Sequence, residues 1–289
     1  MASLKEIKGR IASVRSTLKI TSAMKLVASA KLRKAQDALG NMMPYQMQLT
    51  GILSELMHTS EVGSSAYTAD RPLRKAVLVI FSSNSSLCGG FNGNVIRKAQ
   101  EVLAEWRAEG LKDKDIKVYS VGRRGADAMR KAGFPSPADY TAMSHTPDYE
   151  AAAALAEELT SGFLSGRIDR VELVYNHFKS ASTQQVMREV YLPMNLASAT
   201  LSGEAEVDYI LEPDRQTLVG MLLPKASRLK IYTVLLDSAA AEHAARTVAM
   251  QTATDNGNTL LQELTLEYNK GRQQKITAEI LDLVGGAQQ

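Results

Sequence analysis

The chain has 289 residues, 45% of them hydrophobic and 22% charged, with a formal net charge of +3. This is the composition of an ordinary water-facing protein of one large or two modest domains. The net charge is too small to demand a nucleic-acid partner, and no apolar run of 18 or more residues suggests a membrane span. A single cysteine, Cys88, excludes an internal disulfide and suits a reducing compartment. The opening MASLKEIKGR lacks the apolar stretch of a secretory signal.

Charge is unevenly spread. Residues 1–39 hold nine Lys or Arg against two acids, a local balance of +7. The same stretch opens a heptad seam: Leu4, Ile7, Ile11, Val14, Leu18, Thr21, Lys25, Ala28, Leu32, Ala35, Leu39, Met42, Gln46, Leu49, Leu53 and Leu56. Thirteen of these sixteen positions are apolar, and a 3-4 spacing held this long predicts a coiled-coil helix over residues 1–58. Such a rod spans about 80 Å at ~1.5 Å per residue. Ser3 is its expected N-cap, and Pro44 its expected kink. Polar Thr21 and Lys25 on the seam suggest a partner there.

Residues 59–75 are small and polar and read as a linker. The period then changes, and residues 74–194 read as an inserted α/β domain. Ala76 to Phe81 is a continuous apolar run, the mark of a strand buried on both faces. Asn92 to Glu109 is amphipathic and helical. Ile116 to Val121 is a second strand, followed by a Gly-Arg-Arg-Gly turn. Thr146-Pro147-Asp148 predicts a helix start with Thr146 as cap, the helix running through Ala151 to Leu164. Val171 to Phe178 and Gln185 to Leu192 are two further strands, arranged as a hairpin at a sheet edge. Strands alternating with helices predict a mostly parallel, Rossmann-like sheet.

Residues 195–208 read as a second linker. From Glu212-Pro213-Asp214 a helical pattern runs to Val284, giving a second rod over residues 209–285. An alanine-rich part (Ala239, Ala240, Ala241, Ala244, Ala245, Ala249, Ala253) permits close approach of helix axes. Leu260, Leu264 and Tyr268 recur at helical spacing, as do Ile276, Ile280 and Val284. Asp255-Asn256-Gly257-Asn258 is a turn signal. A helix passing through it must offset about 2 kcal/mol of unfavourable propensity. The fold class is therefore mixed α/β and α+β: two terminal helices that can pair as a long antiparallel coiled coil, with the α/β domain inserted between them.

Chemistry-bearing patterns are sparse. Ser82 to Gly93, SSNSSLCGGFNG, follows a strand and opens a helix, the context of a phosphate cradle. Its glycines match neither G-x-G-x-x-G nor a P-loop, so a tight strand-to-helix turn is the simpler reading. Cys88 has no base signalled beside it and reads as a small buried hydrophobe. His58, His145, His177 and His243 fall in four segments with no i, i+4 pair, so neither metal nor cofactor is expected. No Ser, His and acid signature appears, and no catalytic residue is assigned. The basic rod lacks aromatics before Tyr45, which disfavours nucleic acid. A coiled-coil scaffold whose α/β domain binds a nucleotide or nucleic acid stays open as the alternative.

MKLVASAKLRKAQ (Met24 to Gln36), SSLCGGFN (Ser85 to Asn92), VAMQTATDN (Val248 to Asn256), LTLEYNKGRQQKIT (Leu264 to Thr277) and EILDLVGGA (Glu279 to Ala287) together resemble the gamma subunits of F-type ATP synthases. The resemblance covers nearly the whole chain in the same order. It implies a rotating central shaft, peripheral to the cytoplasmic face of a bacterial inner membrane. The partners it implies are a ring of three α and three β subunits, an epsilon subunit and a proton-driven c-ring. It implies torque without catalysis, since ATP is made on β. It also places coupling contacts at Met24 and Lys25, at Arg246, at Arg272 and Gln273, and at Thr277 and Glu279. A shaft sliding past three equivalent partners should present a polar, weakly held surface. With Cys88 as the sole cysteine, the two-cysteine switch of chloroplast members is not expected.

Overall fold

The computed structural model describes residues 3–58, 65–195 and 211–286, so most of both expected linkers lies outside the described residues. The elements in order are α1 (Leu4–His58), β1 (Ala76–Phe81), α2 (Phe91–Ala108), a 3-10 turn (Asp113–Asp115), β2 (Ile116–Val121), α3 (Arg123–Lys131), α4 (Thr141–His145), α5 (Tyr149–Leu164), β3 (Arg170–Phe178), β4 (Gln184–Leu192) and α6 (Arg215–Gly286). Contacts divide the chain into two units. One comprises the described parts of Met1–Ser29 and Arg246–Gln289, and the other Ala30–Ala245.

In the second unit, the sheet has the order β2-β1-β3-β4. β1 pairs in parallel with both β2 and β3, and β4 returns antiparallel to β3 at the edge. Period-2 alternation sends the two sides of β1 into two different cores. Leu78 and Ile80 pack on α2 and α3 through Val95, Val102, Trp106 and Met129. Val77, Val79 and Phe81 pack on α5 and on Ile231, Val234 and Leu235 of α6. This double cover explains why β1 is an unbroken apolar run.

Lower α1 and the first part of α6 also pair in this unit. Leu49, Leu53 and Leu56 meet Val219, Leu223 and Leu229, and Leu39 meets Leu236 and Ala240. The pairing is antiparallel, since the α1 numbers fall as the α6 numbers rise. Ala240, Ala241 and Ala244 are fully buried, as close approach of small residues requires. Asp237 ties α6 to the sheet, accepting the Phe178 N–H at 2.8 Å and pairing with His177 Nδ1 at 2.7 Å. Burial raises its carboxyl above the usual carboxylate range.

In the first unit, the start of α1 lies antiparallel to the end of α6, with Ile7 and Ile11 against Leu264 and with Val14, Leu261 and Tyr268 beside them. All sixteen predicted seam positions of α1 are buried or half-buried. Ser3 caps α1, its Oγ accepting the Glu6 N–H at 3.2 Å. Pro44 lies within the helix and is exposed. α6 passes unbroken through Asp255-Asn256-Gly257-Asn258, so tertiary packing overrides the local turn signal.

Four expectations are corrected. Gly122-Arg-Arg-Gly is a helix junction, not a free turn: only Gly122 stands outside α3. Gly122 has φ 98°, and a Cβ there would lie 2.0 Å from the Ser82 carbonyl oxygen, so only glycine fits. The helix α3 and the short α4 were not foreseen: each buries a single large apolar side chain, Met129 and Met143, too few to mark a stripe. The cap of α5 is Asp148, whose carboxylate accepts the Ala151 N–H at 3.0 Å, and not Thr146. On α6 the stripe facing α1 is Met250, Thr254, Gly257, Leu261, Leu264, Tyr268 and Gly271, all buried or half-buried, whereas Leu260, Ile276 and Ile280 are exposed. The true seam keeps a 3-4 spacing, but two of its seven members are glycines and one is Thr, which hid it.

Candidate functional site

A polar layer interrupts the seam of the first unit where α1 carries Thr21 and Lys25. The Thr21 and Thr254 hydroxyls bond across the pair at 2.9 Å. One hydroxyl gives its proton to the other, which in turn donates to its own helix; the carbonyls in reach are Leu18 for Thr21, at 3.2 Å, and Met250 for Thr254, at 2.8 Å. One turn on, Lys25 Nζ donates to Gln251 Oε1 at 2.6 Å. The Gln251 amide in turn donates to the Asp255 carboxylate at 2.8 and 3.0 Å. The chain Lys25–Gln251–Asp255 thus links a cation on α1 to an anion on α6 through one amide. Lys25 and Met24 are both half-buried. Their neighbours Leu26 and Val27 are exposed, Leu26 by 68%.

Arg246 is buried. It lies on α6 on the far side of Gln251 from the C-terminus. The remaining four predicted residues lie elsewhere. Leu4 packs at the position of Gly271, where a Cβ would stand 3.1 Å from Leu4 Cδ2. α1 starts at Leu4 and α6 ends at Gly286, so α6 continues past its partner helix for about 22 Å at ~1.5 Å per residue. Arg272, Gln273, Thr277 and Glu279 all sit on this overhang and are exposed. Lys275 and Glu279 approach to 3.7 Å as an i, i+4 pair, an exposed contact that adds little.

The seven predicted residues therefore form two groups, separated along α6 by about 30 Å of helix between Gln251 and Arg272. Sequence reasoning missed Gln251, Thr254 and Asp255, which complete the first group. Their signal is register: once Leu18 is set against Gly257, Thr21 falls opposite Thr254 and Lys25 opposite Gln251. The expected polar surface also needs correction. Ile276, Ile280, Leu281 and Leu283 are exposed on the overhang, Leu283 by 75%. Polar residues alternate with this apolar row, and such rows mark sites of protein contact.

The glycine-rich loop after β1 is tied to the protein, and three backbone N–H groups at its start and at the start of α3 are taken. Ser83 N–H donates to Asn92 Oδ1, Arg123 N–H to Asn84 Oδ1, and Gly125 N–H to Ser82 Oγ. Cys88 is buried against Phe91, Ala241 and Ala245, its sulfur accepting from Asn92 Nδ2 at 3.1 Å. Among the described residues no group of three or more His, Cys, Asp or Glu could hold a metal ion. Among the same residues no helix is long and apolar enough to cross a membrane.

Residues 3–289 match the family model for ATP synthase. The ATP synthase gamma chain of Phocaeicola vulgatus is 51% identical over 289 residues, covering 99% of each chain. That of Bacteroides fragilis is 50% identical, again with 99% of each chain covered, and that of Flavobacterium johnsoniae 44%, with 100% and 99% covered. The fold is also that of a chain in the Euglena gracilis mitochondrial ATP synthase, with TM-score 0.67 at 21% identity, covering 99% of this chain and 93% of that one. A chain of the Tetrahymena thermophila mitochondrial ATP synthase central stalk and c-ring gives TM-score 0.58 at 23% identity, covering 81% and 99%. The antiparallel terminal helices, the inserted parallel sheet and full-length identity of about half agree on one assignment: this chain belongs to the ATP synthase gamma-chain family.

Proposed function

We propose that the chain is the central rotor shaft of a proton-translocating F-type ATP synthase, carrying rotation between a membrane c-ring and the catalytic ring of α and β subunits. It is a non-catalytic subunit, and the catalytic sites belong to β. The observation that carries the reading is the overhang of α6. A single helix about 22 Å long, bare of any partner among the described residues and studded with exposed apolar and polar residues, needs an external collar.

The mechanics follow from the pairing. Two interlocked helices resist bending and twisting better than one. Torque applied to one part of the paired helices reaches the overhang without loss only if their register holds. In this reading Arg272 and Gln273 engage a β subunit, with Thr277 and Glu279 beside them. Met24, Lys25 and Arg246 form a second set of contacts lower on the shaft. The exposed Leu26, Val27, Leu281 and Leu283 add short-lived apolar contacts. Each β site changes state because the shaft makes different contacts at each angle, which is the differential free energy that coupling requires.

The proposed partners are the α, β and epsilon subunits and the c-ring, without nucleic acid or a cofactor. The proposed location is the cytoplasmic face of a bacterial inner membrane. The proposed division is residues 1–58 and 209–285 as the helical parts and 74–194 as the inserted domain. Co-expression with α and β subunits tests the reading. A three-to-three-to-one ATPase complex supports it, and a chain that stays alone while ATPase forms from α and β removes it.

A further inference from the structure

The inserted domain holds a cavity of about 380 Å3 at the amino ends of β1 and β2, within the usual size range of small-molecule sites. Open α/β sheets place ligands beyond the carboxyl ends of their strands. Here the Ser82 to Asn92 loop lies at that end, and this cavity, at the opposite ends of the strands, is a separate feature. Its floor is apolar, made by buried Val77 and Ile168 and the ring of Tyr119.

Its rim is cationic. Lys75, Lys114, Lys117 and Arg167 line it, and all four are exposed. None of the four has an ion pair among the described residues. Arg107 and Arg188 of the same domain are paired, with Asp113 and Glu172, whereas these four cations gather around one cavity. Two carboxylates also face the cavity, Asp115 and Glu158. Glu158 is held by the Tyr119 and Tyr140 hydroxyls at 2.7 and 3.2 Å. A small anion that filled such a cavity would meet these acids as well as the cations. A ligand with phosphates at one end and a flat body bearing N–H donors at the other satisfies both, with the body seated on the apolar floor.

We propose that this cavity binds a nucleoside di- or triphosphate, its phosphates on the Lys75, Lys114, Lys117 and Arg167 rim and its base over Val77, Ile168 and Tyr119. Calorimetric titration of the purified full chain, apart from α and β, tests this with ATP, GTP, pyrophosphate and adenosine as probes. Expected are saturable binding of ATP or GTP with a dissociation constant of about 0.1–1 mM, binding of pyrophosphate weaker by about tenfold, and a loss of affinity as salt rises. Lys114→Glu with Lys117→Glu should weaken nucleotide binding at least about tenfold, with an unchanged melting curve since both positions are exposed. Lys131→Glu, exposed on α3 and not among the lining residues, should leave binding unchanged. Absence of saturable binding, pyrophosphate as tight as ATP, or equal losses in the rim and Lys131 variants would each overturn the proposal.

Discussion

Gly257 of α6 and Leu18 of α1 occupy one volume between them: a Cβ at position 257 would lie 2.7 Å from Leu18 Cδ2. The glycine that looks like a helix breaker is where the partner leucine enters. The contact sets the register of the first unit, and the polar layer follows from it. Gly257→Ala sets a propensity gain of about 1 kcal/mol against a small shift of a flexible leucine end, so its stability should stay within about 1 kcal/mol of wild type. Gly257→Leu overpacks the seam and should cost about 1–3 kcal/mol. Chemical denaturation of both variants measures the contrast, and equal stabilities would contradict the packing assigned to Gly257.

The Thr21–Thr254 pair should behave as a matched device. Thr21→Val or Thr254→Val alone removes one cross-helix bond and should cost about 0.5–1.5 kcal/mol. Both together replace the bond with apolar contact, and the second substitution should cost less than the first because the cross-helix bond is already gone. A double-mutant cycle checks this, and strictly additive losses would contradict it.

Arg272→Ala with Gln273→Ala changes exposed side chains on the overhang, so the melting temperature should move little, within about 0.5 kcal/mol in stability. Coupling should suffer instead. In membrane vesicles the variant complex should pump fewer protons per ATP hydrolysed. An unchanged ratio would remove Arg272 and Gln273 from the proposed coupling surface.

Cys88→Ser should leave ATPase activity within about twofold of wild type, since Cys88 packs against Phe91 and Ala241 and faces no catalytic group. In the folded chain its thiol should react slowly with a maleimide, and quickly after denaturation. A tenfold or greater loss of activity in a folded variant would contradict this packing role.

Asp237 supplies a pH dependence. Burial is the chief cause of its raised carboxyl pKa, opposed by the Phe178 N–H and His177. A carboxyl raised on folding binds its proton more tightly in the folded state, so its contribution to stability is present below the ordinary value of about 4 and fades as pH rises through the folded value. Asp237→Asn keeps an acceptor for Phe178 N–H and removes the charge. Relative to wild type, the variant should gain stability as pH rises above about 4. Thermal melts across that range decide the matter, and a relative loss would reverse the sign assigned to Asp237.

Much of this fold was legible because hydrophobic periods are long or uninterrupted. The α1 seam needed only spacing, and β1 only an apolar run. The α6 seam was hidden because Gly257 and Gly271 act there through absence of a side chain, which no hydrophobic count detects. For α3, the organising residues are Gly122 and Gly125, whose role is contact with Ser82, which follows β1 and is about forty residues away in sequence. The candidate residues were named through motif resemblance. Their separation into a polar layer and an overhang depended on knowing where α1 begins relative to Gly271. Gln251 and Asp255 look like ordinary surface residues until Lys25 is set opposite them.

The central claim is that this chain turns. With the complex of this chain, α and β fixed to a surface by its β subunits and a bead attached to the inserted domain, video microscopy under ATP should show sustained rotation in one direction, stopped by a disulfide between a cysteine placed on the overhang and one on β and restored by reduction. Steady ATP hydrolysis with a stationary bead, or hydrolysis unaffected by the cross-link, would contradict the account.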